Sequence, residues 1–463
     1  MKCEAKQISD LVGEWGIWQR NLTIFVFILT ALNAYNDLSY TFHTYEVDYW
    51  CKDVPNDYMY DLVCDRSNYA SLSQSLYMFG FLITGLILSQ FADKYGRKPL
   101  VWVSFIIEII ALTSSALSVN ITQYSISRLF VGLSMYGCSG AMCTSLLESC
   151  GPKHRSDIYM LSGIGWVLGC VVIPGTAFWF RDFRYMNWIA LLPIGFLMVW
   201  FYFIPESPRW LITNGRISEG KEVLRNIIKQ NGLSDQDFDE KFAEFTKHLL
   251  RNEESEKSAK TYTVLDLLKT SNLRKYTLIF WFSWIVVGLV YYGFSLNMDE
   301  FGGNFYITFL LSGVVELPSA FISITALRYI GRRTALIIFL VIIAVSSLAI
   351  IPTTDSTLKV TFALIGKFAV GALWWIYEVY VPEVYPTVLR NTGAGTSSSF
   401  SRVGSMASPF MKNLAAITSL TFVMTFYAII SLFIAVLALF LPETKGIEIP
   451  DTLDEVETQK TQK

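Results

Sequence analysis

Long apolar tracts fill most of this chain, and they restrict the folds that it can adopt. Twelve tracts are long enough to cross about 30 Å of hydrocarbon as helices of about 20 residues. They cover residues 22–41, 74–92, 100–118, 123–149, 158–180, 188–204, 275–294, 304–327, 336–352, 358–382, 391–415 and 420–441. Only 16% of the residues are charged, whereas soluble domains carry roughly 25%. The sequence therefore predicts an all-α membrane protein with twelve transmembrane helices.

Lysine and arginine in the short loops predict the orientation of these helices, because cytoplasmic loops carry an excess of both. With the N-terminus in the cytoplasm, the basic stretches at 93–99, 151–156, 328–333 and 385–390 all lie on the cytoplasmic side. We therefore expect a multi-pass protein of the plasma membrane with both termini in the cytoplasm and the lipid bilayer as a partner. The net charge of −2 gives no indication of a nucleic-acid partner.

The first outer loop spans residues 42–73 and contains Cys51 and Cys64. The outer side of a membrane is oxidising, and disulfides form and persist there. We therefore expect a disulfide between these two cysteines. Most of the other cysteines lie within apolar tracts, where a thiol behaves as a small buried apolar group.

Motifs in the first half of the chain recur in the second half. "DKYGRKP" follows the second apolar tract and "RYIGRRT" follows the eighth, while "PESPRW" ends the sixth and "PETKG" ends the twelfth. "ESCGPKHR" and "EVYPTVLR" follow the fourth and tenth tracts, so that Glu148 lies 235 residues before Glu383 (383 − 148 = 235). Matches at a nearly constant offset predict two six-helix bundles that enter the membrane in the same direction, with a binding site between them. This is the architecture of a transporter.

The same matches predict where the domains begin and end. We expect the first six-helix bundle over residues 1–204 and the second over residues 275–441. Between them, residues 205–274 form a cytoplasmic linker, in which "RISEGKEVLRNIIKQNG" has the periodicity of an amphipathic helix. Residues 442–463 form a cytoplasmic tail.

These motifs resemble those of the major facilitator superfamily over nearly the whole chain. Five further stretches narrow the resemblance to its polyspecific organic cation, anion and carnitine transporters: "YDLVCD" (60–65), "QSLYMFG" (74–80), "RDFRYMNW" (181–188), "VELPSAF" (315–321) and "PEVYPTVLRNTGAG" (382–395). The resemblance implies the fold of that superfamily and the transport of small organic ions by alternating access. One departure is the outer loop, because the family usually has a large, cysteine-rich, glycosylated loop after the first helix.

An arginine interrupts the eleventh tract, in "GTSSSFSRVGSMASPF". An ionisable side chain at membrane depth costs several kcal/mol and usually faces a cavity or a partner. The planar guanidinium of Arg402 can hold a carboxylate through two hydrogen bonds. The alternative is an internal ion pair with Glu316 or Glu378. The resemblance favours the first interpretation, because anion and carnitine carriers tend to have arginine at this position and strict cation carriers tend to have aspartate.

Other polar and aromatic residues of these tracts are further candidates. Glu316 matches an acidic residue that cation carriers of the family are thought to use for an ammonium group. Lys367 is the counterpart of Arg128 in the first half, and both residues have two interpretations: substrate or proton-linked chemistry, or pairing with a neighbouring helix. Aromatic rings suit a polyspecific pocket because they attract cations and accept many shapes. The predicted substrate-binding residues are Arg402, Glu316, Glu378, Trp374, Tyr292 and Lys367.

Acidic and basic residues alternate at the cytoplasmic helix ends. Alternating access needs contacts that close one side reversibly, and a network of such pairs can bias the two states. The alternative, positive charge that only fixes the topology, does not exclude this role. The predicted gating residues are Asp93, Arg97, Glu148, Arg155 and Glu206 in the first half, and Arg332, Arg333, Glu383, Arg390 and Glu443 in the second.

The sequence thus favours a secondary transporter of small organic ions, with an anion or a carnitine-like zwitterion preferred and a cation possible. A sugar-type facilitator is disfavoured because the seventh tract, "LIFWFSWIVVGLVYYGFSL", contains no glutamine. A membrane sensor or scaffold without transport is the alternative from another class. No enzymatic activity, cofactor or metal is expected, since the chain has no glycine-rich nucleotide loop and its three histidines are scattered. A coupling ion is left open.

Overall fold

A computed structural model of the chain describes residues 7–43, 67–85, 89–151, 154–258, 263–447, 450 and 453–458. The helices of the first half are α1 (Ile8–Val12), α2 (Ile17–Leu38), α3 (Tyr40–His43), α4 (Ser67–Ile83), α5 (Ser89–Tyr95), α6 (Arg97–Ala116), α7 (Ile121–Ser149), α8 (Arg155–Phe180) and α9 (Phe183–Tyr202). The middle segment forms α10 (Pro208–Thr213), α11 (Ile217–Gln230), α12 (Phe238–Ser258) and the 3₁₀ helix Val264–Leu268. Cys51 and Cys64 lie outside the described residues.

The second half begins with α13. Its helices are α13 (Ser271–Leu296), the 3₁₀ helix Met298–Phe301, α14 (Phe305–Val314), α15 (Glu316–Tyr329), α16 (Arg332–Ile350), α17 (Ser356–Val384), α18 (Arg390–Ala407), α19 (Phe410–Ile417), α20 (Leu420–Ala438) and α21 (Leu453–Thr458). Within the described ranges, ten helices are long and apolar enough to cross a membrane, counting α14 and α15 as one. The remaining two spans of this all-α, twelve-helix fold are α4 with α5, and the serine-rich α18 with α19.

Each half repeats one packing arrangement. In the first half α2 packs on α8, α4 packs on α7, and α6 packs on both α7 and α9. In the second half α13 packs on α18, α15 packs on α17, and α16 packs on both α17 and α20. The two six-helix bundles that the repeated motifs predict are therefore present, with corresponding helices in corresponding places.

Glycine allows two of these helix pairs to touch backbone to backbone. A Cβ atom at Gly169 in α8 would lie 2.2 Å from the carbonyl oxygen of Ala31 in α2. A Cβ atom at Gly404 in α18 would lie 1.9 Å from the carbonyl oxygen of Ile285 in α13. Small residues permit this close approach in membrane helices. The same glycine contact thus fixes the first and fifth spans of each half.

The two ends of the molecule differ. At one end, which we call the linker end, the side chain of Asn231 after α11 bonds to the backbone of Val12 and Trp18. At the opposite end the two halves meet, and the ring centroids of Phe42 and Phe305 lie 4.6 Å apart. There Ser71 also donates a hydrogen bond to the carbonyl oxygen of Pro409 at 3.0 Å. These contacts join the two halves at the end away from the linker.

Candidate functional site

A cavity of about 310 Å³ lies between the two halves, and four helices from each half line it. Its wall is mainly apolar and aromatic with a few polar side chains, which is typical of a small-molecule site. Four predicted substrate-binding residues line it: Arg402, Glu316, Trp374 and Tyr292. No group of three or more His, Cys, Asp and Glu side chains in the described ranges could hold a metal ion.

Arg402 projects from α18 into a cage of aromatic rings. Its guanidinium carbon lies 4.3 Å from the ring centroid of Phe81, 5.7 Å from that of Tyr136 and 5.8 Å from that of Trp374. Phe81 and Tyr136 belong to the first half, so the arginine of one half lies against the rings of the other. Among the described residues no carboxylate lies within 4.0 Å of this guanidinium, and the ion pair with Glu316 or Glu378 is not formed.

Glu316 instead pairs with Lys367. The Lys367 Nζ lies 2.7 Å from Glu316 Oε1, and the two side chains are 1% and 10% exposed, respectively. Tyr291 donates its hydroxyl hydrogen to the same carboxylate at 2.6 Å, and its ring centroid lies 3.2 Å from the Lys367 Nζ. Lys367 also donates to Ser295 at 2.6 Å. Glu316 therefore reaches the cavity with its charge already balanced by a lysine behind it.

Arg128 occupies the corresponding place in the first half. It lies in α7 and donates to the carbonyl oxygen of Asn36 in α2 at 2.8 Å and to Gln74 Oε1 in α4 at 2.6 Å. Lys367 in α17 likewise contacts α13 and α15, which correspond to α2 and α4. Each half thus contains one buried cation that joins its first, second and fourth spans.

Glu378 lies one turn beyond Trp374 in α17, toward the linker end. Its charge acts on the thiol of Cys143 in α7 of the first half. It does not belong to the described lining of the cavity.

Asp37 in α2 is a further buried acid, and it is not among the residues predicted from the sequence. Its side chain is 1% exposed, and Oδ2 accepts a hydrogen bond of 2.6 Å from the hydroxyl of Tyr292. This bond joins the first half to the second half beside the cavity. The sequence contains a signal for Asp37, because it is an ionisable residue within an apolar tract. It also shares a helix face with Thr30 and Asn33, which line the cavity.

Three of the predicted gating residues of the first half, Arg97, Glu148 and Glu206, form a cluster at the linker end. Arg97 forms a bidentate ion pair with Glu148 through both terminal nitrogens, and its Nη2 lies 2.6 Å from Glu148 Oε1. Glu206 accepts hydrogen bonds from the backbone nitrogens of Arg97 at 3.1 Å and Lys98 at 2.9 Å, at the N-terminus of α6. A carboxylate is favoured there because a helix N-terminus carries unpaired N–H groups and a partial positive charge.

The second half repeats this cluster. Arg332 forms a bidentate ion pair with Glu383, in which Nε donates to Oε2 at 2.9 Å and Nη2 donates to Oε1 at 2.8 Å. Glu443 accepts from the backbone nitrogens of Arg332 at 2.8 Å and Arg333 at 3.1 Å, at the N-terminus of α16. Both clusters lie within their own half. Each thus ties together three spans of one bundle.

Two further predicted gating residues, Arg390 and Arg333, have side chains that bond to neutral groups. Arg390 donates to Thr387 Oγ1 at 3.0 Å and to the carbonyl oxygen of Pro382 at 3.2 Å. The Arg333 side chain donates to the carbonyl oxygen of Leu441 at 3.3 Å. The side chains of Asp93 and Arg155 lie outside the described part of the chain.

Comparisons with known proteins agree with this architecture. The family described as Sugar (and other) transporter matches residues 25–456. The chain is 32% identical over 401 residues to an organic cation transporter protein of Drosophila melanogaster, with 86% of this chain and 73% of the relative covered. It is 32% identical over 402 residues to organic anion transporter 3 of Oryctolagus cuniculus, with the same coverage.

A solved structure is similar in fold. The xylose transporter XylE from E. coli, in a partially occluded inward open conformation, superposes with a TM-score of 0.69 at 16% identity, covering 93% of this chain and 99% of that chain. The chain therefore belongs to the sugar (and other) transporter family of the major facilitator superfamily and, within it, to the organic cation and anion transporters.

Proposed function

We propose that this protein is a secondary transporter of small organic anions, and that Arg402 holds the carboxylate of its substrate in the cavity. The observation that carries this proposal is the charge balance of the cavity wall. Glu316 is already paired with Lys367, whereas Arg402 lies against aromatic rings with no described carboxylate within ion-pair distance. A ligand in the cavity can therefore reach the guanidinium without breaking an ion pair, which favours a negatively charged group.

The aromatic lining supports an organic rather than an inorganic anion. Trp166, Tyr136, Trp374 and Trp375 border the same cavity as Arg402. Flat rings provide apolar contact area for many shapes, which suits a polyspecific pocket. The relatives named as organic cation and organic anion transporters support an ionic substrate without deciding the sign of its charge.

A carnitine-like zwitterion is the second candidate. Glu316 lines the cavity beside the rings of Tyr291 and Trp166, and its carboxylate could receive an ammonium group. That contact would compete with Lys367 at 2.7 Å, so the zwitterion ranks below the simple anion.

Transport would proceed by alternating access. The two ion-pair clusters stiffen the linker ends of the halves, and the bundles over 1–204 and 275–441 rock as units joined by the linker 205–274. The linker end, both termini and the tail 442–463 face the cytoplasm, and the host membrane is the plasma membrane. We propose that the clusters of the two halves approach one another when the cavity opens to the outside.

Uptake into proteoliposomes tests the substrate assignment. The probes are hippurate, phenyltrimethylammonium and carnitine, which carry a negative charge, a positive charge and both. We expect wild-type protein to prefer hippurate, and Arg402→Ala to lower hippurate uptake by about 10- to 100-fold, since hydrogen bonds to charged groups contribute about 1.5–3 kcal/mol. Arg328→Ala, which removes an exposed arginine from the same half, serves as the control. Equal loss of anion and cation uptake in Arg402→Ala, at unchanged protein content, would contradict the proposal.

A further inference from the structure

Asp37 lies next to the proposed anion site without lining it. Its Oδ2 accepts the Tyr292 hydroxyl hydrogen at 2.6 Å, whereas Oδ1 has no hydrogen-bond partner. Tyr292 itself lines the cavity together with Arg402. One tyrosine hydroxyl therefore connects a buried carboxylate of the first half with the guanidinium site of the second half.

Three cations, Arg402, Arg128 and Lys367, lie near enough to act electrostatically on this carboxylate. Lys367 already has an acidic partner, Glu316. Arg128 directs its terminal nitrogens to the carbonyl oxygen of Asn36 and to Gln74 Oε1, and not to Asp37. Asp37 is thus the acid best placed to balance the charge of Arg402.

The state of a carrier without substrate makes this balance important. A carrier that binds an anion through an arginine has to return with the anion site empty if it is to move substrate in one direction. An uncompensated buried charge is costly, and the aromatic cage compensates it only in part. A carrier that lacks an internal counter-charge reorients readily only when loaded, which restricts it to exchange.

We propose that Asp37, held by Tyr292, is the counter-ion of Arg402 while the cavity is empty, and that it allows the unloaded carrier to reorient. The protein then catalyses net transport as well as exchange. A bound carboxylate replaces Asp37 as the partner of the guanidinium. Asp37 is a positioning residue that acts through Arg402. This inference rests on the proposed function, because it takes Arg402 as the group that binds the substrate's carboxylate.

Efflux from proteoliposomes measures the two modes separately. Vesicles containing the full chain are loaded with radiolabelled hippurate, the membrane potential is clamped at zero, and the vesicles are diluted into buffer without hippurate or with saturating unlabelled hippurate. The first condition reports net transport and the second reports exchange. We expect the two wild-type rates to agree within about threefold, and Asp37→Asn to lower net efflux by about tenfold or more while exchange changes by less than about threefold.

Two further variants keep the test decisive. Asp37→Glu retains the negative charge and should keep net efflux close to exchange. Tyr292→Phe retains the ring and removes the hydroxyl, so it should lower the ratio of net efflux to exchange, and it decides the outcome if Asp37→Asn fails to fold. A wild-type protein that releases hippurate only by exchange, or variants in which both rates fall in parallel, would overturn the inference. Hippurate transport that is absent from the wild type, or that survives Arg402→Ala, would contradict the proposed function instead.

Discussion

The Glu316–Lys367 pair determines which charges the cavity presents to a ligand. Lys367 is almost completely buried and contacts Glu316, Tyr291 and Ser295. Removing one partner of such a pair leaves the other charge uncompensated, which typically costs about 3–5 kcal/mol. We therefore expect Lys367 to influence the charge selectivity of the cavity through its pairing with Glu316.

We expect Lys367→Met to change the charge preference of the cavity. Glu316 would then face the cavity unpaired, so hippurate uptake should fall about tenfold or more and phenyltrimethylammonium uptake should rise. The double variant Glu316→Gln with Lys367→Met has no unpaired charge and should regain most of the hippurate uptake. If the double variant is no better than Lys367→Met alone, the lysine has a role other than balancing Glu316.

Gly96 and Gly331 are required by the ion-pair clusters. Their φ angles are 99° and 106°, in the region that favours glycine. A Cβ atom would lie 2.5 Å from Glu206 Oε2 at the first position and 2.8 Å from Glu443 Oε2 at the second.

Gly96→Ala and Gly331→Ala should each destabilise the protein by about 1–3 kcal/mol, because both the backbone strain and the displaced carboxylate cost free energy. Thermal unfolding in detergent measures this loss. Gly195→Ala provides the comparison, since a Cβ atom there meets nothing within 4 Å and alanine favours a helix. If Gly96→Ala and Gly331→Ala unfold at the same temperature as Gly195→Ala, glycine is not needed at these two left-handed positions.

At the residue level, sequence reasoning found the charged groups more reliably than their partners. Arg402 and Glu316 were selected because an ionisable group at membrane depth is costly, and both line the cavity. Ser319 in α15 and Ser405 in α18 are polar residues in membrane spans as well, but each is satisfied by a backbone carbonyl of its own helix. Helical periodicity defines a face but not what that face contacts. Phe81 and Tyr136 were missed for that reason, since their contact with Arg402 arises only when the halves assemble.

At the level of helices, hydropathy located the spans but not their breaks. The tract at 304–327 was expected as one helix, yet α14 ends at Val314 and α15 begins at Glu316. Pro318 explains the break, because a proline ring clashes with the carbonyl group four residues before it. The second tract was expected to begin at residue 74, yet α4 begins at Ser67. Its first turns are polar, and Ser71 and Ser73 are buried against protein rather than lipid, which hydropathy does not report.

The side-chain amide of Asn231 in the linker forms hydrogen bonds to residues at and before the start of α2. Asn231 accepts from the Trp18 backbone nitrogen at 2.9 Å, and its own amide donates to Val12 at 2.8 Å and to Gln19 at 3.0 Å. The Gln19 side chain in turn donates to the carbonyl oxygen of Ser149, at the end of α7, at 3.3 Å. Asn231 therefore connects the linker with the first and fourth spans.

Asn231→Ala should release α11 from α2. Three hydrogen bonds are lost and a part-buried backbone nitrogen is left without its partner, at a cost of about 1–3 kcal/mol. Limited trypsin digestion should then cut within 205–274 several-fold faster. Asn214→Ala is the matched control, because Asn214 is exposed and its side chain bonds only within its own turn, to the carbonyl of Trp210. Equal cleavage rates in the two variants would exclude the fastening role.

For the whole molecule, the repeated motifs predicted the duplicated bundles because they constrain each half internally. They say nothing of which end of the cavity is closed, since that depends on contacts between the halves. Cys170 in α8 and Gly313 in α14 form one such contact, and a Cβ atom at Gly313 would lie 2.8 Å from the Cβ of Cys170.

Gly313→Cys should therefore form a disulfide with Cys170 under oxidation. Disulfides need Cβ atoms about 3.5–4.5 Å apart, so a small separation of α8 and α14 suffices. The bond would lock the halves at the end away from the linker, and transport should be lost on oxidation and recovered on reduction. Gly313→Ser, of similar size, controls for crowding. Transport that is insensitive to oxidant, despite a bond seen by mass spectrometry, would mean that this contact persists throughout the cycle.

On the proposed function, the ring cage around Arg402 also limits how long a bound anion stays. The anion would have to draw the guanidinium away from rings that already stabilise it, and each ring contact given up, worth about 0.5–2 kcal/mol, would be subtracted from the binding free energy. Differences in affinity appear mainly as differences in dissociation rate. The rings thus favour release of the substrate. A transport cycle that depends on rapid release turns over faster with moderate affinity than with high affinity.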